Sequence, residues 1–120
     1  MKSICLLGIL SLFMIGCAKE TRTLVFVKPD GCDSVNFSYA NDIQPLIATR
    51  CSGSTCHSAG NSNYDYSNYA VLADRIRSGR LEERLLLPLE EPLHMPAGSN
   101  LSNCDLFKLR SWIHQGFPDN

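Results

Sequence analysis

Basic residues are not in excess in this chain of 120 residues, where 11 lysines and arginines face 12 aspartates and glutamates. A nucleic-acid-binding protein would be expected to show a basic stripe, so the sequence gives no reason to propose nucleic acid as a partner. The chain also lacks an apolar run of the roughly 20 residues that a membrane-spanning helix needs. Internal repeats and long low-complexity segments are absent, and the length suits one ordinary domain.

Strand-like alternation of apolar and polar residues is equally scarce, whereas apolar residues recur at helical spacing. We therefore predict a mainly α fold with long loops. The predicted helices cover about 40–50, 67–78 and 81–87, with a last helix between Ser102 and Gly116. The expected N-caps are Asn41 or Asp42, Ser67 and Ser102. The residues expected to be buried are Ile43, Leu46 and Ile47, then Tyr69, Leu72, Ala73 and Ile76, and finally Leu106, Leu109, Trp112 and Ile113.

The N-terminal segment has the pattern of an export signal. Lys2 precedes the apolar stretch 4–15, which is too short to span a bilayer. The stretch ends in Gly16-Cys17, and a small residue before a cysteine resembles the lipobox of bacterial lipoproteins. This resemblance implies that residues 1–16 are removed and that Cys17 receives the lipid. The alternative is an ordinary secretory signal cleaved nearby, with Cys17 unmodified.

The expected mature protein is thus anchored in the membrane of the cell envelope and faces the periplasm or the exterior. Residues 17–31 form the tether, and 32–120 form the domain. Export places the domain in an oxidising compartment. Four cysteines then need a role, namely Cys32, Cys51, Cys56 and Cys104, and four cysteines allow three disulfide pairings.

The segment Cys51–His57, with the sequence CSGSTCH, gives the strongest chemical signal. The commonest attachment motif for c-type haem has two residues between its cysteines and a histidine after the second. Here the spacer has four residues, which are small enough to let both thiols reach the two vinyl groups on one porphyrin edge. The motif predicts one covalent haem c on Cys51 and Cys56, with His57 as an axial ligand of the iron. The alternatives are a local Cys51–Cys56 disulfide, or a zinc site completed by another cysteine.

A methionine in a proline-rich loop is the candidate for the second axial position. Met95 lies between His94 and Pro96, and prolines lower the entropic cost of holding a weak sulfur ligand in place. We predict Met95 as the sixth ligand of the iron. Two alternatives remain, since Met95 could simply fill a gap in the core, or His94 could bind the iron and give a bis-histidine haem of lower potential.

Cys32 and Cys104 remain once a haem has taken the other two cysteines. One precedes the first helix, and the other lies in the first turn of the last helix. A disulfide between them would close a loop of about 70 residues and would suit a small domain with a modest core. The alternative is a pair of buried free thiols, which export disfavours.

These segments together resemble a family of bacterial cytochrome c-like lipoproteins of the Bacteroidetes type. The resemblance extends from Cys32 to the C-terminus. It rests on Cys32-Asp33, Phe37-Ser38, 42–46 (DIQPL), the 51–57 motif, 94–96 (HMP), and Leu101-Ser102-x-Cys104 leading to Trp112-Ile113-x-x-Gly116. It implies a small cytochrome c-like fold, with the N- and C-terminal helices packed around one covalent haem. It also implies Cys51, Cys56 and His57 as haem residues, Met95 as sixth ligand, and a Cys32–Cys104 disulfide.

The expected function is that of an extracytoplasmic electron carrier, not an enzyme, which exchanges single electrons with a redox partner protein. Two alternatives remain, namely a haem sensor or peroxidase-like protein with a labile sixth ligand, and a haem-free, disulfide-stapled interaction module. The pairs Glu82-Glu83 and Glu90-Glu91 form no obvious acid/base arrangement. We predict that they are solvated faces, either of which offers a docking site for a basic redox partner.

Overall fold

The computed structural model describes residues 27–32, 36–53, 56–61 and 64–120, so the predicted signal peptide, Cys17 and most of the tether lie outside it. Within those ranges the secondary structure is helical and contains no strand, which confirms the mainly α prediction. A π-helical turn, Tyr39–Ile43, leads directly into α1, Gln44–Arg50. The chain continues with α2, Tyr69–Arg77, α3, Arg80–Leu85, and α4, Asn103–His114. None of these helices is long and apolar enough to cross a membrane.

The first helical segment begins earlier than predicted, because Ser38 is its N-cap rather than Asn41 or Asp42. The Ser38 hydroxyl accepts the N–H of Asn41 at 3.1 Å, and the Ser38 N–H donates to Asp42 Oδ2 at 2.9 Å. A regular α-helix from this cap would press the ring of Pro45 against the carbonyl of Asn41. We attribute the wider π-helical turn before Pro45 to that conflict. The predicted burial of Ile43, Leu46 and Ile47 is confirmed.

The second helix begins one residue later than an N-cap at Ser67 would predict. The Ser67 hydroxyl donates to Asp65 Oδ1, and the Asn68 side chain instead accepts the N–H of Ala70 at 2.9 Å. Gly79 separates α2 from α3, as expected, with a φ of +72° that favours glycine. The third helix ends two residues before its predicted end.

The last helix begins at its predicted cap, because the Ser102 hydroxyl accepts the N–H of Asp105 at 3.1 Å. Its buried face differs in part from the expected one. Leu109 and Trp112 are fully buried, whereas Leu106 and Ile113 are only partly covered. Phe107, absent from the prediction, is buried because Phe37 meets it edge-on at 6.1 Å between ring centroids.

The first helical segment packs against α4. The Tyr39 ring stacks on Trp112 with 5.7 Å between centroids, and Arg50 forms an ion pair with Asp105 at 3.3 Å. Beside this contact, Cys32 and Cys104 form the expected disulfide, with their Cα atoms 5.5 Å apart. The two ends of the domain are therefore held together both covalently and by packing.

The prediction that Glu82 belongs to a solvated face was wrong. Its side chain bridges α3 and α4. Its Oε1 accepts from Arg110 Nε at 2.7 Å and lies 3.2 Å from His114 Nε2. Burial acts to raise the pKa of Glu82, but hydrogen bonds and charge from these two partners outweigh it and lower that pKa. Glu83 pairs with Arg80 at 3.1 Å, whereas residues 90–91 are exposed as predicted.

Candidate functional site

One cavity brings together the four residues that the sequence predicted as haem attachment and ligand residues. Its volume of about 510 Å³ lies within the range of roughly 300–1,000 Å³ that is usual for ligand and cofactor sites. Cys51, Cys56, His57 and Met95 all line it, although Met95 comes from a different loop. The other lining residues are Arg50, Tyr64, Tyr66, Arg75, Arg80, Leu81, Arg84, Leu85, Pro96 and Ala97.

The two cysteines of the motif are held by backbone hydrogen bonds at the end of α1. The Cys51 N–H donates to the carbonyl of Ile47 at 2.9 Å and so completes the last turn of the helix. The chain then turns back, and the His57 N–H donates to the carbonyl of Cys51 at 3.0 Å. Neither thiol is disulfide-bonded, and Cys51 is half-buried whereas Cys56 is exposed. This turn places both thiols and the imidazole on one wall of the cavity.

Burial makes the Cys51 thiol an unusually weak acid. It raises the pKa of Cys51 to about 11, and the neighbouring Cys56 adds to the effect. The Cys51 thiol therefore stays protonated at neutral pH.

The imidazole of His57 is oriented by two tyrosines. Its Nδ1 lies 3.0 Å from the carbonyl oxygen of Tyr64, and its ring stacks on Tyr66 with centroids 4.0 Å apart and planes 10° apart. A carbonyl oxygen can only accept, so Nδ1 is the donor of this hydrogen bond. In the neutral ring the lone pair then lies on Nε2, which is the nitrogen suited to bind a metal.

Met95 is fixed at the cavity wall by its own backbone and by α3. Its N–H donates to the carbonyl of Arg84 at 3.0 Å, while the Arg84 guanidinium donates to the carbonyl of Leu93 at 3.3 Å. The Met95 side chain is half-buried where it lines the cavity. Two reciprocal contacts with one arginine thus hold the loop that presents the thioether.

His94 occupies a different environment from its neighbour. It is only 2% exposed and does not line the cavity. Its Nδ1 lies 2.7 Å from the carbonyl oxygen of Leu87, and its Nε2 lies 2.9 Å from that of Ser99. The imidazole therefore lies between two backbone carbonyls of the loop that carries Met95.

The charged residues that line the cavity are positive. Four arginines line it and no carboxylate does. Two of these arginines have acidic partners outside the wall, since Arg50 pairs with Asp105 and Arg80 with Glu83. Arg75 differs, because its Nε is buried and has no hydrogen-bond partner within the described parts of the chain. Such a wall suits an anionic ligand that brings hydrogen-bond acceptors.

The zinc alternative loses its expected ligands. The Cys32–Cys104 disulfide takes both thiols that were candidates to complete a site with the motif. Among the described residues, no three histidine, cysteine, aspartate or glutamate side chains lie close enough to hold a metal ion.

The tyrosines and arginines of the cavity were not predicted as site residues from the sequence. Tyr64 and Tyr66 stand in a polar segment where an aromatic residue has no obvious packing reason, and this was a signal that could have found them. Arg75 and Arg84 had no such signal, because each lies on a helix with an ordinary amphipathic pattern.

Comparisons with known proteins found no matching family model, no matching curated protein and no matching solved structure. A functional assignment therefore has to come from the chemistry of the cavity. Its defining features are two thiols and an imidazole on one wall, a thioether from a second loop, and a positively charged lining.

Proposed function

We propose that this chain is an extracytoplasmic lipoprotein that holds one covalent haem c, with His57 and Met95 as axial ligands, and transfers single electrons. The observation that carries the proposal is the convergence of Cys51, Cys56, His57 and Met95 on one cavity. The spacing of the first three residues fits thioether attachment and coordination. The fourth reaches the same cavity from a loop that lies beyond two further helices.

The lining of the cavity fits the shape and polarity of a haem. A porphyrin is a flat, largely apolar plate, and Leu81, Leu85 and Pro96 supply apolar surface for it. The two thiols stand on one wall, as attachment through two vinyl groups of a single ring edge requires. Cys56 is exposed, so the attachment edge lies at the mouth of the cavity.

The arginines of the wall fit the two propionate groups that a haem carries. Guanidinium groups bind carboxylates through paired, charge-assisted hydrogen bonds. Four arginines line the cavity and no carboxylate of the described residues does, so the lining favours an acidic ligand.

The two axial residues set the kind of chemistry. A bound haem supplies a one-electron couple between ferric and ferrous iron. His57 offers its Nε2 lone pair because the Tyr64 carbonyl holds its Nδ1 proton. Met95 offers a soft thioether, which favours the ferrous state and raises the potential. With both positions filled by protein, no site is left for a substrate, so we assign an electron carrier rather than an enzyme.

Location and partner follow from the same proposal. A lipid on Cys17 holds the protein in the cell envelope, and residues 17–31 give the domain its reach from the membrane. Electrons enter and leave at the exposed attachment edge near Cys56, where a redox partner protein approaches closely.

Covalent attachment is tested by expression together with a haem-attachment system, followed by denaturing electrophoresis and haem staining. The wild-type protein should keep a stain that survives denaturation, and the double variant Cys51→Ala/Cys56→Ala should lose it. Met95→Ala is the matched control, because it alters an axial ligand but leaves both thioethers in place. A wild-type protein from its native host that is colourless, with Cys51 and Cys56 joined by a disulfide, would refute the proposal.

A further inference from the structure

We infer that Arg75 is a positioning residue for His57, because its guanidinium joins the two tyrosines that hold the imidazole ring. The inference rests on the proposed function, in which His57 binds the haem iron. It concerns which residues fix the plane of that imidazole. Groups behind an axial ligand commonly determine its orientation and its strength as a donor.

Tyr64 is held in a backbone conformation that bulky residues rarely adopt. Its φ is +71°, in the left-handed region, and such a residue persists only where its surroundings enforce it. Two contacts do so here. The Tyr64 carbonyl lies 3.0 Å from His57 Nδ1, and the Arg75 guanidinium lies over the Tyr64 ring, 3.5 Å from its centroid. The arginine therefore acts on the residue whose carbonyl sets the orientation of the imidazole.

Tyr66 supports the other side of the same imidazole. Its ring stacks on His57, and its N–H donates to the His57 carbonyl at 3.0 Å. The Arg75 guanidinium also makes a side-chain hydrogen bond to the Tyr66 phenol oxygen. Arg75 thus contacts both tyrosines, one over its ring and one at its hydroxyl.

The position of Arg75 on a packed helix explains why it can hold Tyr64 and Tyr66 in place. It projects from α2, and Leu72, Ala73 and Ile76 of that helix are buried in the core. Tyr64 and Tyr66 both precede the helix and have no regular secondary structure of their own. Arg75 therefore ties these irregular residues to a rigid element, and its flat guanidinium suits stacking on an aromatic ring better than an ammonium does.

The test uses the haem-loaded protein in its reduced, diamagnetic state. The Nδ1 proton of His57 then has its own NMR resonance, and its exchange with deuterium measures how often the bond to the Tyr64 carbonyl opens. Arg75→Lys keeps the positive charge but loses the flat group, and we expect exchange to become about tenfold faster. That factor corresponds to about 1.4 kcal/mol. In the oxidised protein, the EPR signal should broaden as the imidazole plane becomes less defined.

Arg77→Lys is the matched control, because it makes the same substitution on the same helix but outside the lining of the cavity. The Arg77 side chain is exposed, and its guanidinium lies over the Phe117 ring rather than over a tyrosine. Arg77→Lys should leave the Nδ1 exchange rate unchanged. If Arg75→Lys does not load haem, Tyr66→Phe replaces it, because it keeps the stacked ring but removes the hydroxyl beside Arg75. Faster exchange in Tyr66→Phe would then support the inference.

Unchanged exchange and EPR in Arg75→Lys would overturn the inference, as would equal acceleration by Arg77→Lys, which would indicate a general effect of replacing an arginine of α2. For the second variant, unchanged exchange in Tyr66→Phe has the same meaning. These outcomes leave the haem in place. A wild-type protein that takes up no haem would instead refute the proposed function, so the two failures are distinguishable.

Discussion

Loss of the Cys32–Cys104 disulfide should remove a large share of the stability of the domain. The bond joins residues 72 positions apart, and for a loop of that length the chain-entropy relation gives about 4.4 kcal/mol at 25 °C. A small domain has a free energy of unfolding of only about 5–15 kcal/mol. The bond also fixes the chain beside Phe37, whose edge contact with Phe107 helps to bury one side of α4. We therefore expect Cys32→Ser/Cys104→Ser to lose about 4 kcal/mol.

Urea unfolding of the haem-loaded protein measures this loss as a fall in the denaturation midpoint. A reducing agent provides the control, because it opens the disulfide of the wild-type protein but leaves thioether bonds to haem intact. The reduced wild-type protein and the double serine variant should therefore lose similar amounts of stability. A loss below about 1 kcal/mol in both would refute the reasoning, because constraint of the unfolded chain would then contribute little. A loss confined to the variant would point to packing of the serines instead.

Replacing Met95 with alanine should open the sixth position, so that the reduced protein binds carbon monoxide at neutral pH and its midpoint potential falls. The wild-type protein and His94→Gln should not bind it, and carbon monoxide binding by His94→Gln alone would make that imidazole the ligand. Glu82→Gln should destabilise the protein by about 1 kcal/mol at neutral pH, because Arg110 and His114 lose a carboxylate partner. These partners lower the pKa of Glu82 below its ordinary value of 4.5, so the stabilisation is present above that value and is lost as the pH falls through the folded-state pKa. Urea midpoints should therefore converge in acid, and a difference that persists undiminished at about pH 2 would contradict this assignment.

Helix ends were predictable where one local signal had no competitor. Ser102 has the N–H of Asp105 within reach and nothing nearby that claims its hydroxyl, so the predicted start of α4 was right. The cap of α2 was missed by one residue, because Asp65 accepts the Ser67 hydroxyl and Asn68 takes over the role. Competition between neighbouring polar side chains is decided by turn geometry, which the order of residues alone does not give.

The residues of the candidate site can likewise be divided into those that the sequence could predict and those that depend on the tertiary structure. The proposed attachment through two sulfurs and a neighbouring imidazole requires residues that are close in the chain, so spacing alone was enough to nominate Cys51, Cys56 and His57. Arg75 and Arg84 line the same cavity only because α2 and α3 turn one face toward that loop. The sequence left Met95 and His94 as alternatives, and it is a tertiary feature that only Met95 of the two lines the cavity.

The positive lining of the cavity finally bears on the ligand that we propose for it. Four arginines line this space, and two of them, Arg50 and Arg80, have acidic partners. No carboxylate of the described residues lines it, so the lining itself supplies no negative group. An apolar plate that carries two carboxylates would complement both the apolar and the positive parts of the lining. Binding energy of that kind would add directly to the free energy of unfolding, so the proposed ligand would stabilise the fold.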